Sequence, residues 1–181
     1  MLFATSMLAA GYAGVTSAHA AIAQGVTGPT SNGTFDVNLE IQNKLRISDL
    51  ALVDMGIFGG ADMTGDIDAC AFFNQGNTAN YRLTLDSGNN PGGPFTLAVG
   101  GNNIVYTVQL SANGAPAVPA TAATPVTALS VGPNFATDND CATGTTNNLN
   151  IQTDALAADI VAAGANGVYI DEVSILMEPD F

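Results

Sequence analysis

The chain has 181 residues, of which 47% are hydrophobic, so it can bury the core of one domain of ordinary size. Acidic residues outnumber basic ones by 16 to 3, which gives a formal net charge of −13 and is typical of a soluble protein that works outside the cell. Such a chain repels phosphate backbones and anionic lipid, and we therefore exclude nucleic acids and membrane surfaces as partners.

Residues 1–20 are apolar and rich in small side chains, and they end in Ala18-His19-Ala20. This A-x-A ending predicts a secretory signal peptide that is cleaved before Ala21. The run begins without Lys or Arg, which leaves an upstream start codon or an atypical signal as explanations. A membrane anchor is disfavoured because the run is short and is interrupted by Gly, Ser and Thr, so we expect no membrane insertion of the mature chain.

Cleavage would also remove His19, which is the only histidine of the chain. Without it, Ser-His-Asp catalysis, Cys-His catalysis and His-ligated zinc are excluded. We therefore predict that the protein is not an enzyme, and we assign it no catalytic residue, cofactor or metal.

Residues 21–43 are predicted to form a leader and a strand that precede the domain. Residues 21–33 contain many turn-forming residues, which predicts a flexible leader. Residues 34–41 then alternate strictly between polar and apolar side chains, as expected of a β-strand with one buried side. The apolar positions are Phe35, Val37, Leu39 and Ile41. We hypothesise that they are buried in another copy of the protein, with Gln42-Asn43 as a hinge; the alternative is that residues 34–41 form the first strand of their own domain.

Residues 44–181 are expected to form the domain itself, in which short apolar runs are separated by turn signals. The runs that predict strands are 44–50, 69–73, 81–86, 95–99, 104–110, 148–152 and 168–177. Gly100 to Asn103 predict a four-residue hairpin connection. Residues 111–140 carry four prolines, which predicts a surface excursion or an edge strand. Many short strands with frequent turns indicate an all-β antiparallel sandwich.

One short helix is predicted within residues 153–163, where Asp154 is the candidate cap and Gly164 the end. The alternation of the last strand slips at Asp171-Glu172, which predicts a β-bulge. The two cysteines, Cys70 and Cys141, form an even pair in an exported chain, which favours a disulfide over two free thiols. The chain-entropy model gives such a bond roughly 4 kcal/mol of stabilisation.

Several segments resemble, in their order along the chain, those of chaperone–usher pilins, and most of all the archaic branch that includes the spore coat protein U domain. Gly33 to Val37 resembles the start of a mature pilin. Tyr81 to Gly88 resembles the Y-x-V-x-L-x-x-G strand and turn, and Ile104 to Val108 resembles the I-P-Y-x-V strand. Leu149 to Ile175 resembles the ending of these pilins, which includes G-x-Y-x-D-x-V-x-V.

The resemblance covers nearly all of the mature chain, and since each motif is degenerate, their common order is the stronger signal. The positions of Cys70 and Cys141 are similar to a disulfide found in some branches. One departure is that many of these pilins have a Cys where this chain has Lys44-Leu45-Arg46.

The resemblance implies an immunoglobulin-like sandwich that lacks its last strand. A periplasmic chaperone would fill the gap during export, an outer-membrane usher would guide assembly, and the N-terminal strand of another copy would fill the gap in the fibre. The implied function is a structural pilin, the major subunit of an adhesive or biofilm filament on the cell surface.

The alternative function is a secreted monomeric β-sandwich that binds calcium or carbohydrate. Asp62, Asp66 and Asp68 lie close together in the sequence, and Asp138-Asn139-Asp140 is a second acidic group. Neither group has the spacing of an EF-hand loop. The chain has no Trp and only 4 Tyr, which disfavours the aromatic platforms on which sugar-binding proteins and glycosidases depend.

Overall fold

The structure is a computed structural model, which describes residues 24–75, 80–132 and 147–181. The predicted signal peptide, residues 1–20, lies outside the described residues. Contacts divide the chain into a unit that ends at Ile41 and a unit from Gln42 to Phe181. The strands and the helix of the described residues all belong to the second unit.

The described residues form ten strands and one helix. In chain order these are β1 (Leu45–Ser48), β2 (Met63–Phe73), β3 (Asn80–Ser87), β4 (Thr96–Val99), β5 (Asn102–Val105), β6 (Thr107–Ala112), β7 (Val118–Ala120), β8 (Val126–Ser130), β9 (Leu149–Ala155), α1 (Ala157–Ala163) and β10 (Val173–Pro179).

Two antiparallel sheets form the sandwich. The first has the order β1-β2-β9-β6-β7, and the second has the order β10-β3-β8. The core lies between them and takes alternate residues from each strand, as the pattern of β3 shows: Tyr81, Leu83 and Leu85 are buried and the residues between them are half-buried. The all-β immunoglobulin-like sandwich is therefore confirmed.

β4 and β5 form a separate hairpin, whose connection is shorter than predicted. Gly100 and Gly101 alone make the turn, with φ of 54° and 88°, which glycine adopts without strain. At Tyr106 the chain leaves the hairpin and continues as β6 in the first sheet, so the single predicted strand 104–110 is two strands.

Two short strands were missed in the proline-rich region. β7 contains Pro119 and lies at the edge of its sheet, where the missing N–H of proline costs no ladder bond, as the edge-strand alternative predicted. β8 is the edge strand of the second sheet. β2 also begins six residues earlier than predicted, at Met63 instead of Ala69.

The predicted start of the helix is wrong, whereas its end is confirmed. Asp154 belongs to β9, and α1 begins after Leu156 without a side-chain cap from that residue. Asp62, distant in sequence, accepts a hydrogen bond from the Ala157 N–H at 2.8 Å. Gly164 ends the helix with a φ of 67°, the left-handed conformation typical of a C-cap.

The predicted bulge at Asp171-Glu172 is instead a break between two strand pairings. Ile170 forms an isolated antiparallel bridge with Ala98 of β4, and β10 begins only at Val173. The chain therefore passes from the hairpin to the second sheet at Asp171-Glu172.

Candidate donor segment and open side of the sandwich

The predicted donor segment is exposed to solvent in the structure. Residues 35–44 belong to no strand, and every described residue from 24 to 44 is exposed. The apolar side chains at positions 35, 37, 39 and 41 are 79%, 83%, 80% and 67% exposed. A row of large apolar side chains in water is unfavourable and is typical of a surface that a partner covers.

The chain is anchored where the domain begins. Asn74, in the turn after β2, donates from Nδ2 to the Gln42 carbonyl at 2.7 Å and accepts from the Lys44 N–H at 2.8 Å. The Asn74 N–H donates to the Lys44 carbonyl at 3.1 Å, and Gln75 donates to the Asn43 side chain. These bonds fix residues 42–44, so the predicted hinge is held at the domain and the exposed segment ends directly before it.

β1 and β10 are edge strands on the same side of the sandwich. Among the described residues, β1 pairs only with β2, and β10 pairs only with β3. The two edge strands approach each other, one from each sheet. Each therefore presents backbone N–H and C=O groups on its outer edge without a strand partner in the described part of the chain.

The core is incompletely covered along this side, which we call the open side. Its half-buried apolar side chains on the strands are Leu45, Ile47, Met63, Ile67, Val173, Ile175 and Met177. Their partners on the inner strands are covered: Ile175 is opposite Leu85, which is 1% exposed, and Ile47 is opposite Ala71, which is 0% exposed. The uncovered groups follow the outer edges of both sheets.

The open side and the exposed segment have matching lengths. β10 has 7 residues, and the segment from Phe35 to Ile41 covers the same number of positions. A strand of this length extends over about 20 Å, since each residue adds about 3.3 Å. The position of the segment within another copy stays a prediction.

A partly buried polar network, which the sequence did not reveal, fixes the chain at the start of β10. Asp171 accepts hydrogen bonds from Ser87 Oγ and Tyr106 Oη, both at 2.8 Å, and from the Asn89 N–H at 3.2 Å. Burial raises the pKa of Tyr106, and the hydrogen bond and the charge of Asp171 raise it further. Asn89 Nδ2 in turn donates to the carbonyls of Thr96 and Ile170 at 2.8 and 2.6 Å. The slip in alternation was the only sequence signal for this network.

The predicted disulfide is only partly within the described residues. Cys70 lies in β2 and is completely buried. Cys141 lies outside the described residues, so the bond between the two stays a prediction.

Two of the acidic residues considered for calcium are neighbours, and the third is engaged elsewhere. Asp66 and Asp68 lie on the exposed face of β2, where Asn150 Nδ2 donates to both, while Asp62 binds the start of α1. Residues 138–140 lie outside the described residues. Within the described ranges, no group of three or more His, Cys, Asp and Glu side chains could hold a metal ion. No helix in the described part of the chain is both long and apolar enough to span a bilayer.

Comparison with known proteins supports the fold. No family model and no curated protein matches this chain. The chain is similar to a chain in the solved structure titled "Chaperone-tip adhesin complex is vital for synergistic activation of CFA/I fimbriae biogenesis". The TM-score is 0.50 with 15% sequence identity, over 77% of this chain and 42% of the other, so this chain spans less than half the length of its structural neighbour. The likeness shows a fold that also occurs in a fimbrial complex.

Proposed function

We propose that this protein is a structural pilin, a major subunit that polymerises head to tail by strand donation. Residues 34–41 of one copy enter the open side of the next copy and complete its sandwich. The observation that supports this most directly is the combination of an exposed alternating segment and an edge strand, β10, whose core-facing side chains are incompletely covered. The order of pilin-like motifs along the chain supports a proposed relation to the archaic chaperone–usher branch.

Insertion of the donor segment would pair the unpaired edge of β10 and cover the exposed part of the core. An added strand pairs with the free edge of β10, and its alternate side chains cover the core. Burial of Phe35, Val37, Leu39 and Ile41 contributes about 6–12 kcal/mol in total, before the cost of ordering the segment. Because the donor and the acceptor are different surfaces, two joined copies together keep one free donor and one free acceptor, and the assembly grows as a filament.

Before assembly, the apolar side chains and unpaired backbone groups of the open side would have to be covered by another protein. We propose that a periplasmic chaperone covers it during export and that an outer-membrane usher guides polymerisation. The structural neighbour is itself from a chaperone–tip adhesin complex of fimbriae, which supports chaperone-type partners. In this proposal residues 1–20 are removed on export, the filament lies on the cell surface in adhesion or biofilm formation, and the protein is not an enzyme.

Substitution of the donor tests the proposal in the full chain. Val37→Asp with Leu39→Asp places two carboxylates at core-facing positions of the segment. Thr34→Asp with Asn38→Asp adds the same charge at its other positions and is the matched control. We expect filaments by electron microscopy from the wild type and the control, and only monomers from the first variant. Filaments of equal length and number from Val37→Asp with Leu39→Asp would refute strand donation, and a monomeric wild type would favour a monomeric binding module.

A further inference from the structure

The chain between β1 and β2 passes beside the part of β2 that has no β1 partner, and in the described part of the chain it joins neither sheet. We call residues 50–58 the strap. Asp49, with a φ of 59°, turns the chain out of β1 before it. Within the described ranges, no backbone–backbone hydrogen bond involves the strap. Among the described residues its one hydrogen bond is local, from the Gly56 N–H to Asp54 Oδ1 at 2.8 Å.

Side chains alone hold the strap to the domain. Val53 and Met55 are half-buried, whereas Leu52 and Ile57 are 86% and 96% exposed. A Cβ atom on Gly65 of β2 would lie 2.7 Å from Val53 Cγ1 and 3.3 Å from Met55 Cγ. Val53 and Met55 can therefore pack against β2 only because Gly65 has no side chain.

The strap contacts the core-facing side of β2 at this glycine. Gly65 pairs with Thr153 of β9, which is 6% exposed, and a Cβ on Gly65 would lie 3.4 Å from Thr153 Oγ1. Gly65 therefore faces the interior. β1 pairs with β2 only from Cys70 to Phe73, so the edge of β2 beside Gly65 has no β1 partner. Val53 and Met55 consequently cover the core-facing side of β2 at its unpaired edge, which belongs to the open side.

A segment with few buried contacts and a solvated backbone opens at low free-energy cost. We propose that the strap closes the open side in the unassembled subunit and must leave Gly65 before a donor segment enters, so that its release sets the rate of joining. This inference rests on the strand donation proposed above.

The test uses the full chain carrying Val37→Asp with Leu39→Asp, which cannot supply its own donor, and a fluorescent peptide of residues 33–42. Gly65→Ala in that chain introduces the Cβ that meets Val53, and its backbone φ allows alanine. Gly59→Ala is the matched control, since nothing lies within 4 Å of a Cβ there. Val53→Ser, with Leu52→Ser as its control, loosens the strap without adding volume. Hydrogen exchange of residues 50–58 and the rate of peptide uptake are measured for each protein.

We expect Gly65→Ala and Val53→Ser to exchange faster in the strap and to take up the peptide roughly threefold to tenfold faster, as the contacts of one half-buried side chain are lost. The two controls should match the parent chain. Three results would overturn the role of the strap while leaving strand donation intact. They are faster hydrogen exchange without faster peptide uptake, unchanged exchange in both strap variants, and equal acceleration in the controls. Absence of peptide binding by every chain, including the parent, would overturn strand donation and the strap together.

Discussion

Truncation of Leu39 to alanine should weaken the joint between subunits without affecting the subunit itself. Leu39 is 80% exposed in the structure, so its side chain adds little to the stability of the free domain. If it becomes buried on joining, Leu39→Ala removes about 2 kcal/mol of transfer free energy, which corresponds to a roughly 30-fold rise in the dissociation constant. The melting temperature of the free subunit should stay within about a degree of the wild type, since an exposed side chain contributes little.

The assay is titration of peptides of residues 33–42 into the full chain carrying Val37→Asp with Leu39→Asp. The Leu39→Ala peptide is compared with the wild-type peptide and with an Asn38→Ala peptide. Asn38 neighbours Leu39 but has the opposite orientation in an extended strand, so its truncation should change the affinity less than about threefold. Equal losses for the two peptides, or no loss for Leu39→Ala, would refute the assignment of the apolar face to the acceptor.

The other predictions concern the domain. Tyr106→Phe removes the hydrogen bond to Asp171 and should lower stability by about 1–3 kcal/mol in denaturant titration, because the half-buried carboxylate of Asp171 loses a donor. Tyr81→Phe should be near neutral in the same titration, because the buried Tyr81 hydroxyl has no hydrogen-bond partner among the described residues. Burial raises the pKa of both tyrosines, so the folded state holds their protons more tightly. The stability that these two groups contribute should be constant below pH of about 10 and fall above it, so the alkaline loss of stability should be steeper in the wild type than in Tyr106→Phe. Asn148→Ala should lower the free energy of unfolding by about 3 kcal/mol or more, because the buried Asn148 side chain accepts from the Ala71 N–H and donates to the carbonyls of Ala71 and Val131. A mild effect would show that water replaces these bonds. Intact mass after alkylation without reductant should show no modified thiol if Cys70 and Cys141 are bonded, whereas two alkylated thiols would exclude the bond.

The elements with a local periodic signal were predictable from sequence. β3 and the first four residues of β9, Leu149 to Gln152, alternate between buried and half-buried residues as their apolar patterns predicted, whereas the last three residues of β9 were predicted to be helical. The positions of β7 and β8 were not predicted beyond an edge strand somewhere in residues 111–140, because β7 has only 3 residues with a proline among them and β8 does not alternate. The first half of β2 was hidden by its aspartates, which lie on the exposed face of a strand whose other face packs inward. These strands form because they pair with strands that are distant in sequence, and local propensity does not predict such pairing.

Of the candidate site, the donor segment was predictable from sequence, and the acceptor was not. The donor segment shows its alternation directly in the sequence. The acceptor depends on which strands end up at sheet edges, and so on pairings such as Ile175 with Leu85, which no local pattern contains. The strap illustrates the same limit: residues 50–58 resemble a strand in composition, but Asp49 and Gly56 have positive φ and the segment pairs with neither sheet.

A structure of filaments sheared from cells, determined by electron cryo-microscopy, tests strand donation most directly. We expect continuous density from residues 34–41 of each subunit into the open side of its neighbour, with Phe35, Val37, Leu39 and Ile41 against the core-facing side chains of β10. Filaments in which these residues stay outside the neighbouring sandwich, or fold back into their own, would contradict the proposal.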